Sequence, residues 1–549
     1  MKYILSTLLL LLSVALQAAP KWAKTATKSM ATLYALQQRG DTLKANAFFV
    51  EPLGTLVAPF KPIQQARQAW VVDAGGKRYE VSRIQGFNST YDVVRLQVAD
   101  VKKMPALPIV TEAANSRQVV FTMPQAKADQ VTQVEKAGEQ AYYTLQSAAA
   151  PDQAGTPVVD EAGRIVGMLQ APVTIANAPN YALDIRFVEA LTIRPIDANH
   201  ADLRQCAIPK QLPADAEQAV SFLYLAGNLP ASERLCYTDD FIQAFPDNPA
   251  GYIQKADALV EQGNYATAWQ TYEQALADKQ LAHPDEVYYA RSRAIYSKAL
   301  SGDTLAAEGW TLQQAQTDIA QALQLNSQPL YTLQQGHLFY AQKQYEQAYT
   351  CFMALTQSPM RSAEMFLYAW QCQQQMGADK EALLALNDSA MAFFTKPYNV
   401  AAAPYIYLRS NTLYDMGRLR EAINDLNEYE HIVQGRGLNA QFYYQREQME
   451  VATRMYGPAV NDIQRAIQLA PDEPLFRAES ASLFIRLNDL DNAILECKRA
   501  IELDASLSDA YRLWGICLRE KGDKAAAREQ LQRAKDLGDT LAEKILNEL

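Results

Sequence analysis

The chain has 549 residues, of which 49% are hydrophobic and 20% are charged, and its formal net charge at pH 7 is −10. This length predicts two to four domains, and the composition is that of a folded, soluble protein. The acidic balance argues against nucleic acid or an anionic membrane surface as the main partner, because both repel a negatively charged protein.

Residues 1–18 have the features of a secretory signal peptide. Lys2 gives a short positive start, and Ile4 to Leu16 form an apolar stretch that is too short to span a bilayer. Small residues follow, and Ala18 is the expected cleavage point because Pro20 disfavours cleavage after Ala19. No later stretch approaches the ~20 apolar residues that a membrane span needs. We therefore predict an exported, soluble protein of the periplasm or cell envelope with no membrane span.

Short apolar runs separated by turn residues follow from Thr27 to Arg186. The turns include Asp73-Ala-Gly-Gly and Asp160-Glu-Ala-Gly-Arg, where glycine supplies the positive φ that a hairpin needs. This pattern predicts an all-β barrel or sandwich. The predicted strands cover residues 29–36, 47–50, 55–57, 69–72, 79–84, 93–98, 119–122, 142–145, 157–159, 165–170 and 181–183.

Five fragments of this region follow one another in an informative order. Ala-Asn-Ala-Phe-Phe-Val at 45–50 leads to Gly-Thr-Leu-Val-Ala-Pro-Phe-Lys at 54–61. Asp-Val-Val-Arg-Leu opens a strand at 92–96. Asp-Gln-Ala-Gly-Thr-Pro-Val at 152–158 then precedes the hairpin Asp-Glu-Ala-Gly-Arg-Ile-Val-Gly at 160–167. In type and order these fragments resemble the double β-barrel of trypsin-like serine proteases.

Carried onto this sequence, the catalytic histidine of that family falls on Lys61, its aspartate on Asp92 and its nucleophilic serine on Ala154. Residues 1–199 contain no histidine, so a shifted correspondence does not restore the general base. The glycine that helps to bind the oxyanion falls on Asp152, whose negative charge opposes an oxyanion. The resemblance therefore implies a degenerate, non-catalytic protease domain.

An alternative stays open for this domain, which we place at residues 23–195. A divergent serine-type peptidase would use Lys61 as an unconventional general base and Thr156 as its nucleophile. That chemistry requires Lys61 to lose its proton through burial and Thr156 to turn into the cleft.

Residues 196–213 form a proline-punctuated linker, after which the apolar period changes from 2 to 3.6. Ala459, Ala493 and Ala527 then recur every 34 residues, and each is followed by an apolar residue four positions later and an alanine seven positions later. Small residues at this period let helices pack closely, which is the signature of the tetratricopeptide repeat. We predict an all-α solenoid over residues 214–549.

The solenoid is predicted to contain eight or nine repeats and to end in a capping helix at 541–549. Unequal repeat spacing places insertions near 303–309, 397–403 and 434–437. The small residues that open the second helix of each repeat are Ala268, Ala315, Ala348, Ala382, Ala422, Ala459, Ala493 and Ala527.

Such arrays bind their partners through the first helix of each repeat, which lines the concave face. Tyrosine and amide side chains there suit an extended peptide, because they offer contact area and hydrogen bonds at modest entropic cost. An alternative is that about half of these tyrosines only pack the helices. The predicted peptide-binding residues are His337, Tyr340, Tyr407, Asn411, Tyr414, Tyr444 and Gln448.

Cysteine spacing suggests either disulfides or buried free thiols. Export favours disulfides, and the pairs Cys351 with Cys372 and Cys497 with Cys517 each connect adjacent repeats. The alternative is that each cysteine fills a small core site as a free thiol. No Cys-x-x-Cys occurs and His337 has no second ligand nearby, so we predict neither a metal nor a cofactor. The three pairs are Cys206 with Cys236, Cys351 with Cys372, and Cys497 with Cys517.

Taken together, the sequence predicts an exported, non-catalytic scaffold or adaptor that binds a protein or peptide. A homo-oligomer joined through exposed repeat surfaces is a further alternative.

Overall fold

The structure is a computed structural model that describes residues 20–137, 140–172, 178–305 and 307–549. The predicted signal peptide lies outside the described residues. The chain divides into two compact units, of which the first ends at Trp310 and the second runs Thr311–Leu549.

Barrel 1 begins after a short helix, α1 (Ala23–Ser29). It is a closed antiparallel barrel with the strand order β1-β2-β3-β6-β5-β4. Strand β1 alternates between half-buried and buried positions along its whole length, because one face of the strand points into the barrel. The strands are β1 (Met30–Gln37), β2 (Thr42–Phe49), β3 (Thr55–Ala58), β4 (Ala66–Asp73), β5 (Arg78–Asn88) and β6 (Val93–Val98).

Barrel 2 is a second closed antiparallel barrel, ordered β10-β11-β12-β9-β8-β7. The predicted all-β double barrel is therefore confirmed, but one strand was missed. That strand, β8, has the sequence KADQVTQVEKA, which offers little apolar alternation to reveal it. The strands are β7 (Val119–Thr122), β8 (Lys127–Ala137), β9 (Gln140–Ala148), β10 (Pro157–Val159), β11 (Ile165–Leu169) and β12 (Pro179–Asp184).

Adjacent residues of barrel 1 serve two different cores. Phe49 of β2 and Leu56 of β3 are buried inside barrel 1, whereas their neighbours Phe48 and Val57 belong to the core of barrel 2. Successive side chains of a strand point to opposite faces, so the two barrels pack against each other through the outer face of β2 and β3.

The segment between barrel 2 and the helices is hydrogen-bonded to barrel 1. It begins with α2 (Arg186–Glu189) and continues as 3₁₀ turns. The Ile84 N–H donates to the Pro209 carbonyl at 2.9 Å, and the Gln211 N–H donates back to the Ile84 carbonyl at 2.8 Å. Residues 209–211 therefore add a short parallel bridge to β5.

The described part of the first unit also contains five helices after residue 213, and the first of these helices share an apolar core with barrel 1. Phe222, Tyr237 and Phe241 are fully buried and belong to the same apolar cluster as the barrel 1 interior. Arg83 of β5 makes two hydrogen bonds of 2.9 Å to the carboxylate of Asp240 beside this core. The helices are α3 (Ala216–Leu225), α4 (Ala231–Ala244), α5 (Pro249–Glu261), α6 (Tyr265–Ala277) and α7 (Pro284–Ser301).

The second unit is an array of antiparallel helices of the tetratricopeptide type, as predicted. The two alanines of each 34-residue period, such as Ala459 and Ala466, are fully buried between helices. Gly515 shows how close the helices approach, because a Cβ there would lie 2.6 Å from a side-chain carbon of Leu531. Larger residues at these positions would separate the helices.

Local sequence sets the helix boundaries in this unit. Asn439 and Asp523 cap α15 and α20 by accepting hydrogen bonds from the N–H groups of Phe442 and Ala526. The helices are α8 (Leu312–Leu325), α9 (Pro329–Ala341), α10 (Tyr345–Leu355), α11 (Ala363–Gln375), α12 (Lys380–Met391), α13 (Ala403–Asp415), α14 (Leu419–Val433), α15 (Ala440–Ala452), α16 (Tyr456–Leu469), α17 (Pro474–Arg486), α18 (Leu490–Leu503), α19 (Ser508–Glu520), α20 (Lys524–Asp536) and α21 (Thr540–Asn547).

Across the described residues, no helix is both long and apolar enough to cross a membrane.

We predict that Phe241→Ala weakens barrel 1 and helices α3–α5 together. Truncating a buried phenylalanine typically costs about 3–5 kcal/mol, and this one lies in the core that both parts share. Hydrogen exchange should show faster amide exchange in β5 and in α4. Tyr224→Ala, at an exposed position of α3, is the control and should leave both unchanged. Faster exchange confined to α4 would contradict the shared core.

Candidate functional site

The three residues that the sequence resemblance assigns to the protease catalytic positions meet in a cleft between the two barrels. Lys61, Asp92 and Ala154 all line one cavity of about 340 Å³. Lys61 and Ala154 are 93 positions apart in the sequence, yet both line this one site. The remaining lining residues are Thr32, Lys44, Ala45, Asn46, Pro59, Pro62, Pro151 and Asp152.

Lys61 and Asp92 form an ion pair on the barrel 1 side of the cleft. The Lys61 N–H donates to Asp92 Oδ1 at 2.9 Å, and Lys61 Nζ lies 3.8 Å from Asp92 Oδ2. The Lys61 side chain is 74% exposed. The peptidase alternative requires a buried Lys61 side chain, and this one is exposed to water. Asp92 itself has φ 47°, so it turns the chain into β6.

The loop that corresponds to the protease nucleophile loop is held by Asn46 of β2. Asn46 Nδ2 donates to the carbonyls of Asp152 and Ala154 at 2.8 and 2.9 Å. Gly155 follows with φ 81°, and its N–H donates to the Leu169 carbonyl at 2.8 Å. These bonds fix the loop with a methyl group, that of Ala154, where the protease family has its hydroxyl.

Thr156 does not face the cleft. Its hydroxyl donates to the Gln153 carbonyl at 2.8 Å, and the residue is 1% exposed. Among the lining residues named above, Thr32 carries the only hydroxyl, and none is a histidine, cysteine or serine. Acyl transfer needs a nucleophile and a general base within hydrogen-bond reach, and the Thr156 hydroxyl is hydrogen-bonded to a carbonyl instead.

Three of the predicted peptide-binding residues pack against neighbouring rings in the second unit. His337 meets the ring of Tyr368 edge-on at 4.8 Å, and burial lowers the pKa of its imidazole. Tyr340 packs edge-on against Tyr345 at 5.3 Å. The third residue, Tyr444 of α15, lies 5.1 Å from Phe476 of α17.

The other four predicted residues are exposed. Tyr407, Asn411 and Tyr414 stand on one stripe of α13, since residues at i, i+4 and i+7 share a helix face. Tyr407 is 38% exposed and Tyr414 is 50% exposed, although Tyr407 also touches Tyr429 at 5.1 Å. Gln448 is exposed on α15. We call these four residues the α13–α15 face.

One buried and one part-buried ion pair in the same hairpins were missed from the sequence. Arg409 of α13 bonds both oxygens of Asp425 at 2.8 and 2.7 Å, and Arg446 of α15 bonds both oxygens of Asp462 at 2.6 and 2.8 Å. Both pairs are 16 residues apart, and the pairs are 37 residues apart. This repeated Arg–Asp spacing was a readable signal of a clamp between the two helices of a hairpin.

All six cysteines are free thiols in this structure. Burial raises the pKa of the Cys351 thiol to about 11, and burial together with Cys351 raises that of Cys372 to about 12. Burial and then the nearby Cys517 raise the pKa of Cys497 in the same way. The second and third pairs are thus close in space, and their oxidation to disulfides stays a prediction.

Within the described ranges, no group of three or more His, Cys, Asp or Glu side chains is placed to hold a metal ion.

One protein-family model matches part of the helical array. The tetratricopeptide-repeat family model matches residues 478–507, which cover most of α17 and all of α18. No curated protein matches the chain.

Three of the solved structures to which parts of the chain are similar are the following. YrrB, described as a TPR protein with an unusual peptide-binding site, is 19% identical with a TM-score of 0.30, over 36% of this chain and 98% of its own. MamA is 18% identical with a TM-score of 0.27, over 32% and 96%. The Rv3671c protease from M. tuberculosis, in its active form, is 15% identical with a TM-score of 0.27, over 36% and 91%.

We predict that Gly155→Ala is much more costly than Gly40→Ala. Both glycines have positive φ, 81° and 96°, so an alanine at either costs about 1–2 kcal/mol in backbone strain. Only at Gly155 would the new Cβ also lie 2.6 Å from the Asn46 carbonyl oxygen, whereas Gly40 has open space. Overpacking should add about 1–3 kcal/mol to the loss in unfolding free energy, measured by urea denaturation. Equal losses would show that the loop is not held against barrel 1.

Proposed function

We propose that the protein is an exported, non-catalytic binding scaffold that holds a protein segment on the first helices of its tetratricopeptide array. The paired barrels are a pseudoprotease head in this proposal. The observation that carries it is the cleft, which gathers Lys61, Asp92 and Ala154 without supplying a nucleophile or a free base. The signal-peptide features of residues 1–18 support export to the periplasm or cell envelope.

The α13–α15 face supports the binding part of the proposal. Its two tyrosines offer apolar area with a hydroxyl at the edge, and its amides both donate and accept hydrogen bonds. An extended peptide presents backbone N–H and carbonyl groups that such amides can pair with. Because Tyr407, Asn411, Tyr414 and Gln448 carry no charge, the segment that fits them is uncharged over this stretch.

The divergent peptidase is the alternative, and the loop geometry counts against it. A peptidase would need the Thr156 hydroxyl in the cleft, but that hydroxyl is committed to the Gln153 carbonyl. It would also need a buried, neutral Lys61, and that side chain is mostly in water.

For catalysis, we expect no labelling of the pure protein by a fluorophosphonate probe and no release of fluorescent peptides from labelled casein. An active trypsin-like protease serves as the positive control. Labelling or cleavage that is lost in Lys61→Ala or in Thr156→Val would establish the peptidase instead.

For binding, we expect the triple variant Tyr407→Ala/Asn411→Ala/Tyr414→Ala to lose its protein partner. Removing two exposed aromatic anchors and an amide should weaken binding at least about tenfold, which corresponds to about 1.4 kcal/mol. The measurement is crosslinking in intact cells followed by pull-down and mass spectrometry. Leu469→Ala/Leu503→Ala removes comparably exposed apolar area from α16 and α18 and should capture the same polypeptides as the parent chain. Equal capture by the triple variant would move the binding surface elsewhere.

A further inference from the structure

The α15–α16 hairpin contains two buried glutamic acids that no proposal above uses. Glu447 is 1% exposed and Glu450 is 2% exposed. Both side-chain oxygens of Glu447 and one of Glu450 are buried without a hydrogen-bond partner. Buried polar groups are nearly always paired, so three orphaned carboxyl oxygens in one helix require an explanation.

No arginine donates a hydrogen bond to these three side-chain oxygens. Arg446, which faces Glu450, already donates to both oxygens of Asp462, to Glu430 of α14 at 2.7 Å and to the Asn427 side chain at 3.0 Å. Its guanidinium is therefore shared by two other carboxylates.

The groups facing the pair are mostly acidic. Glu447 is approached by Asp462 of α16 and by Glu479 and Arg486 of α17. Besides Glu447 and Arg446 of its own helix, Glu450 is approached by Asp462 and by Glu430 of α14. Arg465 of α16 lines the same cavity of about 360 Å³ as Glu450.

An ionised carboxylate in these surroundings is unfavourable, because its oxygens are buried without a donor and it faces other acids. Burial, followed by the neighbouring acids, raises the pKa of Glu447 to about 8. Burial raises the pKa of Glu450 to about 8 as well. Both groups therefore hold their protons in the folded chain well above the pH at which an exposed glutamate loses its own.

We propose that Glu447 and Glu450 form a proton-operated joint between the α15–α16 hairpin and α17, closed while both carboxyls are protonated and loosened when they ionise. Ionised Glu447 would repel Glu479 across the α15–α17 contact, and the cavity beside Glu450 gives water a way in. The Tyr444–Phe476 ring contact joins the same two helices, so it is the contact that should open.

The raised pKa values of Glu447 and Glu450 determine how the stability of the joint changes with pH. An unfolded glutamate titrates near about 4.3, so the joint is fully stable below that pH. Stability falls as pH rises, because the unfolded chain releases these protons before the folded chain does. The loss is complete once pH has passed through the folded values of about 8.

The test is hydrogen exchange of the full chain without any partner, so it is independent of the binding proposal. Glu447→Gln/Glu450→Gln keeps the size of both side chains and removes their titration, and Glu502→Gln on α18 is the exposed control. At pH 8.5 we expect amides of α15 and α17 to exchange at least about tenfold faster in the parent chain and in Glu502→Gln than in the double variant, since ionisation costs about 1.4 kcal/mol per pKa unit. Near pH 4, where even an unfolded glutamate is largely protonated, the three proteins should agree within about twofold, and the difference should grow as pH rises towards 8.5.

Circular dichroism at pH 6 first checks that the double variant folds, and the thermal midpoint of the parent chain is followed from pH 5 to 9 in parallel. The thermal midpoint of the parent chain should fall as pH rises, and this fall should be smaller in each of the two single variants. That result supports the joint even if the double variant does not fold. Equal exchange at pH 8.5, a difference of the same size near pH 4, or a midpoint that the variants leave unchanged would overturn it.

Discussion

The apolar core that barrel 1 shares with α3 and α4 is the contact on which the first unit depends. A helical repeat cannot bury its apolar stripe alone, so the first hairpin of an array needs a covering surface. Here the interior residues of barrel 1 continue into Phe222, Tyr237 and Phe241 without a break. The two hydrogen bonds between Arg83 and Asp240 add orientation to an otherwise non-directional contact.

This contact gives the barrels a role that does not require catalysis. Barrel 1 covers the first helices whether or not the cleft performs chemistry. The loop of residues 152–155 is held independently of any catalytic side chain, because the Asn46 side chain donates to its carbonyls and Gly155 packs closely on the Asn46 backbone.

Much of the fold could be read from the sequence because it rests on periodic patterns. The 34-residue alanine period specifies close helix packing, and the structure buries those alanines fully. Strand β8 was missed because its few apolar residues, Val131 and Val134, do not outweigh its charged ones. The bridge of residues 209–211 to β5 was also beyond prediction, since a long-range backbone pairing leaves no local pattern.

The site was predictable to a different degree in each unit. The order of short fragments placed Lys61, Asp92 and Ala154 correctly in one cleft. Along the helices, spacing identifies a face but cannot tell an exposed tyrosine from one that packs, as Tyr414 and Tyr444 illustrate. The buried acids of α15 were missed because a charged residue in a helix reads as a solvated position unless its tertiary neighbours are known.

The central claim is that partners bind on the α13–α15 face and not in the inter-barrel cleft. Site-specific photocrosslinking in intact cells tests it directly, with benzoylphenylalanine placed in turn at Asn411 and at Lys61, both of which are exposed. The account predicts that position 411 gives a crosslinked adduct with a defined polypeptide, whereas position 61 gives none. An adduct from position 61 alone would contradict it and would return the binding function to the protease-like head.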